Sequence, residues 1–100
     1  MTDLVTLSFE DFEPFIHQRF QVRFNTEDIL DAELIELVRL DKYDNLQRQP
    51  FSFVLRTNQI NEYYPQATFI IIHPDKGELP IFLVPLGPDN TGMSYQAIFN

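Results

Sequence analysis

Apolar and polar residues alternate with a period of two along most of this chain, the pattern of half-buried strands. Phe20, Val22 and Phe24 face one way against Gln21 and Arg23, and Phe51, Phe53 and Leu55 repeat the pattern against Ser52 and Arg56. Thr68 to His73 is β-branched and apolar on both faces, which predicts a central strand. Pro74-Asp75-Lys76-Gly77 predicts a tight turn with Gly77 free to take positive φ. Leu79 to Leu86 then returns as the partner strand, with Pro80 and Pro85 at ladder positions that need no N–H donor. Residues 87–92 read as the last loop, and Tyr95 to Phe99 as the last strand, with Tyr95, Ala97 and Phe99 inward.

Two segments are less regular. In residues 29–40 a helical wheel gathers Leu30, Leu34, Leu37 and Val38 but puts Glu27 and Glu33 in the same arc. A strict strand reading sets Glu33, Ile35, Leu37 and Arg39 against Leu34, Glu36, Val38 and Leu40. Neither period is clean; a strand over 32–40 is preferred because everything downstream is strand. Near the start, Ser8 with Asp11 three residues later is a capping-box spacing, and Pro14 should end that helical turn at Glu13. Phe9, Phe12, Phe15 and Ile16 are then placed to plug one end of a core.

About six short strands with one short N-terminal helical turn predict a mainly β fold, a small antiparallel β-barrel or compact sandwich. With 100 residues the chain reads as a single β-rich domain, 1–100. Zero Cys excludes disulfides, thiolate zinc sites and cysteine nucleophiles. No apolar run exceeds four residues, and the first residues lack a signal-peptide pattern, so a cytoplasmic location is expected. The net charge of −8 argues against nucleic acid and anionic membrane as partners. Residues 1–44 hold 11 acids and 4 bases, whereas 45–100 hold 4 acids and 3 bases, so nearly all the excess lies in the first half.

Tyr64-Pro65-Gln66-Ala67-Thr68-Phe69, His73-Pro74, Gly77-Glu78, Ile81-Phe82-Leu83-Val84-Pro85 and Tyr95-Gln96-Ala97-Ile98-Phe99-Asn100 follow one another in the C-terminal part. In these motifs the chain resembles a bacterial domain-of-unknown-function family of about 100 residues. Many members end in Tyr-Glu-Ala-Val-Phe-Asn or close to it. Leu7 to Phe24 and Phe51-Ser52-Phe53 also fit, except that His17 stands where the family's corner carries Gly. The resemblance implies a compact β-rich domain and assigns no activity.

The sequence offers little chemistry. His17 and His73 lack a nearby second His, and Asp41, Asp44 and Asn45 lack the Gly and bidentate Glu of a calcium loop. Ser8, Ser52 and Ser94 sit in no nucleophile elbow, and 3 Gly are too few for a phosphate-cradling loop. No cofactor and no catalysis are expected. For binding, the candidates are Tyr63 and Tyr64 with Tyr43 in the preceding loop, since Tyr joins apolar area to a polar tip. The acidic run Glu27, Asp28, Asp31 and Glu33, interleaved with Ile29 and Leu30, is the second. Phe99-Asn100 either completes the barrel or offers an edge for another strand. The expectation is a non-catalytic protein-interaction or assembly module, self-associating or binding another protein. An acidic inhibitor of a basic partner and a small-molecule carrier using the barrel interior are the alternatives.

Overall fold

In the computed structural model, which describes residues 6–41 and 48–100, six antiparallel strands close into a barrel. They are β1 (Arg19–Arg23), β2 (Ile29–Arg39), β3 (Phe51–Arg56), β4 (Ala67–His73), β5 (Gly77–Asp89) and β6 (Gly92–Phe99). The order around the barrel is β1-β2-β3-β6-β5-β4, two three-stranded meanders joined at β3–β6 and β1–β4. Closure leaves fewer exposed ladder edges than an open sheet of such two-sided apolar strands would.

The alternation seen in the sequence is the inside–outside code of the barrel. Phe20, Val22, Phe53, Leu55, Ile71, Leu79, Ile81, Leu83, Tyr95 and Ala97 are all buried. Ser52, expected to face outward, does so yet is also buried. Its cross-strand neighbours on that face are Val38 and Ile98, both larger, and they close over it. Residues 29–39 are strand, all of β2, and a register shift between Leu34 and Glu36 explains why no single period fitted the segment. Ile35 is the extra residue, so Ala32 and Leu34 point inward before it and Leu37 after it, opposite Phe53. Bulges change the phase of the alternation by one.

The last loop is shorter than expected. β5 continues to Asp89 and pairs with Gly92, leaving a two-residue hairpin at Asn90-Thr91. Asp89 holds it by accepting the N–H groups of Thr91 (2.7 Å) and Gly92 (2.9 Å) and the Thr91 hydroxyl (2.6 Å). The Thr91 hydroxyl first, then the backbone donors, keep the Asp89 carboxyl below its ordinary range.

One barrel end is closed by the N-terminal segment. Asp11 accepts the Ser8 N–H at 2.9 Å, as the predicted capping box requires, at the 3₁₀ turn Phe9–Asp11. The chain does not leave the helical region at Glu13: a second 3₁₀ turn, Glu13–Phe15, carries Pro14 in its first turn, where no N–H is needed. Phe12 is the plug, fully buried with its ring 4.9 Å from Phe53 and 6.1 Å from Phe20. Ile16, expected in the plug, instead stays at the surface. His17 adopts φ +67, the left-handed conformation for which a Gly would be the easy choice.

Candidate functional site

At the opposite end, the connection between β3 and β4 crosses the barrel mouth and carries Tyr63 and Tyr64. Their neighbouring positions send the two rings in different directions. Tyr64 turns in: its ring lies parallel to Phe24, centroids 4.6 Å apart, and edge-on to Phe69. Its N–H donates to the Tyr95 hydroxyl at 3.0 Å, and its own hydroxyl donates to Asp28. That carboxylate is the main reason the Tyr64 phenol is pushed up to about 12, with burial adding to it.

Tyr63 turns out and is 59% exposed. It lines a cleft of about 320 Å³ with Pro85, Leu86, Gly87, Pro88 and Met93. Leu86 is also largely exposed. The cleft sits where β5 bulges between Pro85 and Gly87. β5 pairs with β4 only from Gly77 to Leu83, so the stretch beyond has β6 alone as its ladder partner.

The acidic candidates occupy the other side of the barrel. Asp28 is engaged by Tyr64 and lies 3.4 Å from the Asn25 amide. Glu33 faces outward on β2 opposite Arg19 and Arg56, with the Arg56 guanidinium 3.9 Å and His17 3.8 Å away. Glu27 and Asp31 are exposed and make no ion pair among the described residues. Among the described residues, the candidate tyrosines and acids therefore meet at Tyr64–Asp28. Tyr43 lies outside the described residues, as does the acidic loop residue Asp44. Asn100, at the end of β6, is bound: the Arg48 guanidinium donates twice to its carbonyl, at 2.8 and 3.0 Å, and once to the Leu7 carbonyl at 2.9 Å.

A feature the candidate residues did not include is the outer face of β4, β5 and β6. Outward positions on β1 and β2 carry Arg19, Arg23, Asp31, Glu33 and Glu36, whereas 63–74, 79–88 and 92–100 contain no charged residue. Phe82 and Ile98 are 52% and 57% exposed there. The β5–β6 register runs from the hairpin to Val84↔Gln96. At that point Phe82, Val84, Gln96 and Ile98 line a second cleft of about 300 Å³. The signal in the sequence was the run Ile81-Phe82-Leu83-Val84, apolar on the outward positions as well as the inward ones.

A small closed antiparallel barrel whose polar chemistry is spent on its own ends is the class these observations define. Residues 7–99 match the family model described as a domain of unknown function, DUF6916, and the chain belongs to that family. It matches no curated protein and no solved structure.

Proposed function

We propose that the chain is a non-catalytic docking module that engages a protein through the uncharged outer face of β4–β6, with Tyr63 at its rim. The observation that carries this reading is the division of the barrel exterior into a charged half and an apolar half. Contiguous exposed apolar surface on a water-facing protein marks interaction sites more often than chance. Exposed Phe82, Ile98, Leu86 and Tyr63 supply the aromatic and aliphatic anchors that interface centres favour. The Arg23–Glu78 ion pair, 2.5 Å, bridges from β1 to β5 over the outer side of β4 at Ile70 and Ile72, and there sets the polar limit of the face.

The test is capture of partners from host lysate on the immobilised chain, followed by a high-salt wash. Retention at high salt that is lost in Phe82→Asp and in Tyr63→Ala is the expected result. Retention unchanged by either substitution would overturn the reading. A second reading, an acidic inhibitor of a basic partner, draws on exposed Asp31 and Glu36 on β2 and Glu27 in the turn before it, which make no ion pair among the described residues. It predicts instead a partner released by salt and by charge reversal at those three positions.

A further inference from the structure

We propose that the recess between β2 and the β3–β4 connection binds a small primary amine whose next carbon carries a neutral oxygen, the chemistry of an amino alcohol or of a peptide's amino end. The recess lies across the barrel from the docking face, and the inference does not rest on that reading.

The recess follows from the register. β2 pairs with β3 from Glu33, opposite Arg56, so Leu30 and Asp31 run on past the end of that ladder. The connection leaving β3 comes to lie beside them, and Leu30, Asp31, Asn58, Gln59 and Glu62 enclose about 160 Å³. At ~30 Å³ for each water-sized group, that is room for about five non-hydrogen atoms.

Gln59 supplies the observation that points to a ligand. Its exposure is only 6%. The Tyr95 oxygen accepts the Tyr64 N–H, so its own hydrogen goes to Gln59 Oε1, 2.6 Å away. The Thr57 hydroxyl lies 3.0 Å from the same oxygen. The amide is thereby fixed with Nε2 on the other side. Nε2 makes no hydrogen bond among the described residues, where no fully buried side-chain polar atom lacks a partner. It is therefore the atom through which Gln59 reaches the recess, and both its N–H donors are left for a ligand.

The rest of the lining sets the ligand's charge. Asp31 and Glu62 are exposed on the same recess and make no ion pair among the described residues. Across β1 the neighbour of Asp31 is Gln21, which is uncharged. Two carboxylates call for an ammonium, Nε2 calls for an oxygen acceptor, and Leu30 offers an apolar wall to the carbons between. A guanidinium or a diamine has donors alone and would turn one toward Nε2. A ligand carboxylate would meet two like charges. A neutral oxygen beside an ammonium satisfies both sides of the recess.

NMR titration of the isotope-labelled full chain at pH ~6, where amines are ammonium and the carboxylates are ionised, tests this. The probes are glycinamide, ethylamine, acetamide and glycine at constant chloride. Glycinamide should move the Gln59 side-chain amide signals and the Asp31 and Glu62 backbone signals with millimolar affinity. Ethylamine, which lacks the oxygen, and glycine, which adds a carboxylate, should bind at least about threefold more weakly, and acetamide more weakly still. Asp31→Asn and Glu62→Gln, both at exposed positions, should each weaken glycinamide by a similar factor. Gln59→Glu keeps oxygens for Tyr95 and Thr57 but removes the donors, so the preference for glycinamide over ethylamine should vanish. Ethanolamine and glycylglycinamide separate the two sources: tighter binding of the first marks a free amino alcohol, and of the second a peptide amino terminus. Gln59 side-chain signals that stay still up to about 100 mM glycinamide overturn the proposal. Equal binding of glycinamide, ethylamine and acetamide overturns it too. So does binding unchanged in the folded Asp31→Asn and Glu62→Gln chains, a result that decides the matter even where Gln59→Glu fails to fold.

Discussion

The Tyr64 ring stacks on Phe24 at 4.6 Å and an interplanar angle of 7°, while its hydroxyl donates to Asp28. One side chain thereby ties the β3–β4 connection to the end of β1 and to the turn that follows it. The carboxylate favours the protonated phenol, and the group is pushed up to about 12. Because the folded-state value lies above the ordinary one near 10, this contribution is complete below pH ~10 and is lost as pH rises toward 12. An ultraviolet phenolate titration should show a late component that disappears in Tyr64→Phe. Asp28→Asn should move that component back toward the ordinary range.

Tyr95 organises the same end from inside the barrel. Its hydroxyl donates to Gln59 Oε1 at 2.6 Å and accepts the Tyr64 N–H. The Thr57 hydroxyl lies 3.0 Å from the same Gln59 oxygen and 3.1 Å from the Met93 carbonyl. Burial raises the Tyr95 phenol above its ordinary value. Tyr95→Phe keeps the ring but deprives the Tyr64 N–H of its acceptor and Gln59 of a donor, a cost of about 1–3 kcal/mol. Urea unfolding should report that loss with an unchanged m-value, and exchange of the Tyr64 amide should quicken.

The strands were legible wherever the period of two ran without a break, as in Phe20-Gln21-Val22-Arg23-Phe24. They blurred at Ile35, because a bulge is a property of pairing with β3 and leaves no local signature. The same holds at Leu86, where the bulge and the length of the β5–β6 hairpin together hid the true end of β5. The candidate site was legible only in part. Tyr63 and Tyr64 are chemically identical neighbours, and only the path of the connection over Tyr95 decides which ring turns inward. Phe82 and Ile98 were visible as apolar residues on both-sided strands. That their outward faces adjoin depends on β5 lying beside β6, which local pattern does not encode.

Gly92 has the least freedom of any position in the hairpin. It sits at φ +155, and a Cβ built there would come within 1.7 Å of the Thr57 carbonyl oxygen. That atom belongs to the backbone leaving β3, so it cannot swing aside as a side chain would. Gly92→Ala therefore has to part β3 from β6 at the barrel mouth, combining backbone strain with overpacking for a loss of at least about 2–3 kcal/mol. Gly77, at φ +76 with open space around its missing Cβ, serves as the comparison. Gly77→Ala should lower the thermal midpoint measurably less than Gly92→Ala.

His73 performs at the plugged end the task that Tyr95 performs at the other. Its Nε2 lies 2.7 Å from the Asp11 carbonyl, and its Nδ1 accepts the N–H groups of Asp75 (3.0 Å) and Lys76 (3.3 Å). A carbonyl on one side and two donors on the other fix the tautomer with hydrogen on Nε2. Phe12 and Phe15 meet the ring edge-on at 5.3 and 5.1 Å, so the imidazole is also part of the aromatic seal. His73→Phe would preserve that packing while leaving the turn amides and the Asp11 carbonyl without their partner. The expected loss is about 1–3 kcal/mol, set by the desolvation of groups left unpaired rather than by the contacts themselves. Amide exchange should rise first at Asp75 and Lys76 while Tyr64, at the far mouth, keeps its protection. Equal acceleration at both ends would show that the imidazole supports the barrel as a whole and does not act as a local latch between the β4–β5 turn and the N-terminal plug.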